Sequence, residues 1–188
     1  MTASTECASL PGIVNAMTID VEDYFHVSVF DGVVPRRQWT SLESRVCRNT
    51  ERLLTIFNEA GVRATFFILG WVGERFPELV TDIASAGHEI ASHGYGHRLV
   101  YDLTPAAFRE DVRRAKIVLE SISGTAVYAY RAPSYSITPR SLWALDILIE
   151  EGYRYDASIF PIHHDRYGIP VSARHAYEIG RASCRERV

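Results

Sequence analysis

One unit recurs along the chain: an apolar run, a loop, an amphipathic stretch and a glycine. The first run predicts a strand over 14–19. A helix over 44–60 follows, with Val46, Leu53, Phe57 and Ala60 on one face. Gly61 stands where a helix ends in a left-handed residue. The run 64–69 reads as a strand buried on both faces. Pro77 suits the first turn of the next helix, which stops at Gly87 before a strand over 88–91. Thr104 and Pro105 read as N-cap and first residue of a long helix. There Phe108, Val112, Ala115, Leu119 and Ile122 keep a 4-3-4-3 spacing. Gly124 ends it, and a fourth strand is predicted over 125–130. Thr138-Pro139 repeats the capping device, Leu142, Leu145, Leu148 and Ile149 form an apolar face, and Gly152 precedes a fifth strand over 153–155.

Strands alternating with helices imply parallel βαβ units and an α/β protein. The pattern allows a barrel or an open doubly wound sheet. The predicted strands are too few for the eight of a closed barrel, so a barrel here is incomplete or cut short. The 188 residues suit one domain. Its expected bounds are 14–180, with an N-terminal extension over 1–13. Residues 181–188 lack the preceding pattern and read as a non-native tail on a truncated domain.

Composition narrows the function. A hydrophobic content of 47% with 23% charged residues fits a soluble globular protein. A net charge of −3 carries no nucleic-acid footprint. No apolar run approaches the roughly 18 residues of a membrane span. The first residues show neither a basic nor an apolar signal region, so a cytoplasmic location is expected. Cys7, Cys47 and Cys184 are widely spaced and read as reduced thiols.

The chemistry gathers where strands stop. Ser92-His93-Gly94-Tyr95-Gly96-His97 sets two imidazoles four residues apart behind an apolar run. Asp20, Glu22 and Asp23 end the first strand, Arg131 the fourth and Asp156 the fifth. In parallel α/β folds these strand ends form one rim, where active sites lie. Two histidines and a carboxylate are a usual ligand set for a catalytic divalent metal. A further carboxylate can serve as base toward the attacking water. The spacing therefore points to metal-assisted hydrolysis. Gly94 and Gly96 argue for a tight loop between the two histidines.

These segments resemble, in order, the motifs of the NodB-homology polysaccharide deacetylases, carbohydrate esterase family 4. Thr18-Ile19-Asp20-Val21-Glu22-Asp23 is similar to the acidic motif, and His93 to His97 to the histidine motif. Arg131-Ala132-Pro133-Ser134-Tyr135 and Tyr155-Asp156-Ala157-Ser158 are similar to the arginine and aspartate motifs. Asp20-Val21-Glu22-Asp23-Tyr24-Phe25 and His164-Asp165-Arg166-Tyr167 look like the subgroup tied to PEP-CTERM exopolysaccharide loci. The resemblance implies a distorted, incomplete (β/α) barrel that removes N-acetyl groups from a polysaccharide or oligosaccharide.

The resemblance also implies roles. A divalent ion, zinc by preference, is held by His93, His97 and either Glu22 or Asp23. Strand alternation puts Glu22 on the face of Asp20, which favours Glu22 as ligand and Asp20 as base. Arg131 pairs with Asp20, Asp156 orients Arg131, Tyr135 stacks on sugar, and His164 protonates the leaving amine. Trp71 is a sugar platform or a core residue. The oligomeric state is open. Two rival functions stay open: a cyclic-amide hydrolase of allantoinase type, and a non-catalytic glycan-binding module.

Overall fold

The computed structural model describes residues 15–179. Five strands form one parallel sheet in the order of the chain: β1 (Met17–Val21), β2 (Ala64–Ile68), β3 (Glu89–Ser92), β4 (Ala129–Tyr130) and β5 (Tyr155–Asp156). Between them run α1 (Val46–Ala60), α2 (Gly70–Arg75), α3 (Pro77–Ser85), α4 (Pro105–Ser123) and α5 (Trp143–Glu150). A doubly wound sheet reverses its strand order at a switch point. This sheet never reverses, which is the winding of a (β/α) barrel. It is not closed, since β1 and β5 each have one strand neighbour among the described residues.

The two faces of the sheet differ. Phe66, Ile68, Ile90 and Tyr130 pack with Val112, Leu119 and Leu145 of the helices into the main core. Phe67, Ala91 and Ala129 line the other face as a small second cluster. Two of the three are alanines, and the third, Phe67, carries the Arg131 guanidinium over its ring. The alternation is the period of two in β2 seen in three dimensions.

α4 forms as its capping signals dictate. Thr104 accepts the Ala107 N–H at 3.2 Å, and Gly124 closes the helix at φ 67°. Phe108, Val112, Ala115 and Leu119 are all buried. The fourth strand is shorter than the apolar run predicts. The Val127 N–H bonds to Glu120 Oε1 and its carbonyl to Lys116 Nζ, so side chains of α4 take the groups a sheet ladder needs. The first strand is shifted toward Val21, and residue 14 lies outside the described residues.

α2 is an additional helix before Pro77. The long segment between β1 and α1 folds back as two 3-10 turns, Ser28–Phe30 and Arg36–Ser41. Its Phe25, His26 and Trp39 surround Trp71 with ring centroids 5.0–6.2 Å from the Trp71 ring. Trp71 is thus a packing residue, as the second of its two readings has it. No described helix is long and apolar enough to cross a membrane. Cys47 is a free thiol, whereas Cys7 and Cys184, like the tail over 181–188, lie outside the described residues.

Candidate metal centre

Three segments deliver the centre. β1 alternates, so Thr18, Asp20 and Glu22 share a face. The loop after β3 carries His93 and His97, and the end of β4 carries Arg131. Glu22, His93 and His97 each offer a ligand atom, and these atoms all lie within 4.8 Å of one another. His97 Nε2 is 2.8 Å from Glu22 Oε2. Both imidazoles are buried.

The donor set suits a divalent cation. A carbonyl can only accept, so the 2.9 Å bond between His93 Nδ1 and the Arg131 carbonyl assigns the ring proton to Nδ1. That leaves the lone pair on Nε2, the usual arrangement behind a metal-ligating histidine. His97 Nδ1 is buried with no hydrogen-bond partner among the described residues, and buried Glu22 Oε2 has His97 Nε2 as its one polar neighbour there. Such an orphaned atom is costly unless something compensates it. Burial holds His93 below its ordinary value, hence neutral and able to ligate. Burial alone would raise Glu22. The hydrogen bond and charge of His97, with the charges of His93 and His26, outweigh it and lower the carboxyl.

Asp20 sits beside this group. Arg131 Nη1 donates to its Oδ1 at 2.7 Å, and Nη2 donates to Thr18 Oγ1 at 2.9 Å. The guanidinium lies 4.1 Å from the centroid of the Phe67 ring, a favourable position for a cation. Arg131 therefore anchors two groups of β1 with its side chain and His93 with its carbonyl. Three non-glycine residues adopt positive φ among the described residues: His97 (48°), Ser134 (51°) and Tyr135 (52°). All three flank this centre, and strained backbone of this kind concentrates at functional sites.

Four of the expected site residues make contacts other than those the resemblance implies. Asp23, the alternative ligand, turns away from the histidines. Its carboxylate accepts the Ser44 hydroxyl and the Arg45 N–H at the start of α1, so Glu22 completes the group. Asp156 makes no hydrogen bond or ion pair with Arg131. It accepts the Ser158 N–H at 3.1 Å and hydroxyl at 2.5 Å, and Ser158 in turn accepts the Ala132 N–H. It thus braces the backbone next to Arg131 rather than the guanidinium. Burial, opposed by Ser158 and Arg131, pushes Asp156 up to about 6.

His164 is exposed, with its ring 3.9 Å from Tyr167 and its Nδ1 accepting the Arg166 N–H. It makes no hydrogen bond or ion pair with Asp20, Glu22, His93 or His97 among the described residues. Tyr135 stands nearer, with the Arg131 guanidinium 5.9 Å from its ring. That ring is stacked on Phe160 at 5.4 Å, with Tyr167 tilted at 5.9 Å.

Thr18, His26 and Asp111 belong to the surroundings; Thr18 opens the acidic motif, whereas His26 and Asp111 stand in none of the quoted motifs. His26 accepts the Asp23 N–H on Nδ1 and is enclosed by Phe25, Trp39 and Trp71. Asp111 had one readable sign: it falls three residues after Phe108, a charge beside the apolar stripe of α4.

A family model described as polysaccharide deacetylase matches residues 40–155. Asp20 and Glu22 precede that span and join it through the β1–β2 ladder, where Asp20 pairs with Phe67. The peptidoglycan-N-acetylglucosamine deacetylase of Bacillus cereus is 32% identical over 98 residues, 52% of this chain and 36% of that one. The peptidoglycan deacetylase of Helicobacter pylori is 30% identical over 114 residues, 61% of this chain and 37% of that one. The chain thus spans little more than a third of the length of these curated relatives. A crystal structure of a Mycobacterium smegmatis protein assigned as a polysaccharide deacetylase superposes with a TM-score of 0.64 at 29% identity, over 77% of this chain and 50% of that one. The match covers more than half of the sequence, and the chain belongs to the polysaccharide deacetylase family.

Proposed function

We propose that this protein is a zinc-dependent hydrolase that removes N-acetyl groups from a polysaccharide, with an exopolysaccharide as the substrate class. The observation that carries the reading is the convergence of Glu22, His93 and His97 beside an Arg131-anchored Asp20. Family membership supplies the amide bond as the target.

Glu22, His93 and His97 would hold the ion, leaving positions for water and substrate. A bound divalent ion supplies Lewis acidity to water and to the amide carbonyl. Asp20 takes the proton of the attacking water. Arg131 engages its Oδ1, and Oδ2 is the oxygen we assign to the transfer. Asp20, beside the group and holding that proton, passes it on to the departing amine, as one carboxylate can do for both halves of such a reaction. Arg131 fixes the direction of Asp20 and, through its carbonyl, the ring of His93. Attack of water on the carbonyl and cleavage of the C–N bond yield acetate and a free amine.

The test is acetate release from chitooligosaccharide, peptidoglycan and an acetylated bacterial exopolysaccharide, with zinc content measured alongside. Asp20→Asn is expected to keep zinc and lose turnover at least a hundredfold. Zinc-loaded protein that releases acetate from none of the three would overturn the reading. Release from peptidoglycan alone would overturn the exopolysaccharide assignment.

A further inference from the structure

The two histidines of the centre are joined by a loop whose backbone is held at nearly every peptide. The Gly94 carbonyl accepts the Gly70 N–H at 2.8 Å, and the Tyr95 carbonyl accepts the Trp71 N–H at 3.0 Å. The His97 carbonyl accepts Arg36 Nη2 at 3.1 Å. Those contacts satisfy acceptors. Of the three N–H groups between the histidines, that of Gly94 bonds to Ser92 Oγ at 3.2 Å, and those of Tyr95 and Gly96 share a single partner. Asp111 on α4 takes the Tyr95 N–H on Oδ2 at 2.7 Å and the Gly96 N–H on Oδ1 at 3.2 Å.

The loop is shaped around this carboxylate. Gly94 has φ 74°, and a Cβ there would lie 2.8 Å from Asp111 Oδ2. A side chain at 94 and a carboxylate at 111 therefore exclude one another. His97 meanwhile holds φ 48°, a conformation a histidine does not keep without support. Burial raises the Asp111 carboxyl, and the two N–H bonds oppose that, as do the charges of Arg98 and Arg36. Nothing in the proposed reaction uses Asp111, whose carboxylate bonds to backbone N–H groups of the loop and not to Glu22, His93 or His97.

We propose that Asp111 is a positioning residue for the metal centre, setting the span between His93 and His97 by clamping the Tyr95 and Gly96 peptides. This rests on the metal reading above. A carboxylate offers two acceptors to two adjacent N–H groups, whereas an amide of the same shape turns an NH2 toward one of them. Asp111→Asn thus breaks the clamp at constant volume.

The experiment measures zinc affinity of the full chain by competition with a chromophoric chelator, and amide exchange of Tyr95 and Gly96 by NMR. Asp111→Asn is expected to weaken zinc binding about ten- to a hundredfold, the usual effect of losing a group behind the ligands, and to speed exchange at both amides. Leu119→Ala, a core truncation on the same helix, is expected to lower thermal stability and leave zinc affinity unchanged. If Asp111→Asn does not fold, Asp111→Ser is read in the same way. Zinc affinity within twofold of wild type, or unaltered exchange at both amides, overturns the proposal. Equal affinity in wild type and His93→Ala would instead remove the metal centre itself, and this role with it.

Discussion

At the scale of single residues, the adjacent carboxylates Glu22 and Asp23 show how one step along a strand separates two kinds of work. Glu22 points toward the histidines, and Asp23 toward the start of α1. Glu22→Gln is expected to weaken zinc binding at least tenfold, because the amide is a poor ligand for the ion. Asp23→Asn is expected to leave zinc affinity unchanged and to lower stability by about 1 kcal/mol, as loss of a charged acceptor at a helix start does. Calorimetric zinc titration and urea denaturation of both variants check this, and the reverse pattern would make Asp23 the ligand. Burial pushes His26 down to about 4, and burial lowers His93 as well. An unfolded histidine binds its proton near 6.5. Between those values the unfolded chain holds more protons, so stability is present above about pH 6.5 and is lost as pH falls toward 4. His26→Leu is expected to flatten that slope by up to about 1.4 kcal/mol per pH unit. Denaturation curves at pH 5 and 7 read the slope directly.

At the scale of elements, the centre depends on how closely α2, α4 and the histidine loop approach. Gly70 opens α2 where a Cβ would lie 2.7 Å from the Tyr95 ring and 3.0 Å from the Ala115 backbone. Ala115 cannot retreat, because α4 is packed on the sheet. Gly70→Ala is expected to cost about 1–3 kcal/mol through overpacking, although alanine is the better helix former. A thermal shift shows whether strain or propensity wins, and a stabilised variant would mean that the helices can part. Element boundaries show what local pattern can and cannot tell. The caps of α4 are readable because Thr104, Pro105 and Gly124 act on their own neighbours. The short β4 is not, because Glu120 and Lys116 reach it from another element.

At the scale of the whole molecule, the sheet order β1-β2-β3-β4-β5 puts the ends of three separated segments on one rim. Among the described residues it also leaves β5 as an edge, with Tyr155 66% exposed. A groove of about 750 Å³ runs beside that edge, lined by Leu145, Ile149, Tyr155 and Tyr177, and reaches the centre's surroundings only at Asp156. Exposed edges invite pairing with another chain, and charge suppresses it. Tyr155→Lys is expected to reduce concentration-dependent association measured by light scattering. Equal association in both proteins would show that the edge is already protected.

Sequence alone determined the alternation of strands and helices, the caps of α4, its buried stripe, and the polar residues at strand ends. All of these follow from neighbours within one or two turns of chain. Alternation along β1 also set Glu22 on the face of Asp20, since a strand's period needs no partner. Tertiary structure decided the rest. It separated a barrel-like winding from a doubly wound one, because strand order is a long-range property. It put Asp23 at a helix start, His164 against the ring of Tyr167, and Asp156 onto Ser158. It added Asp111, whose partners are backbone N–H groups fifteen and sixteen residues away. A hydrogen bond is made by whichever group lies within about 3 Å in the right direction, and only the folded chain sets that distance.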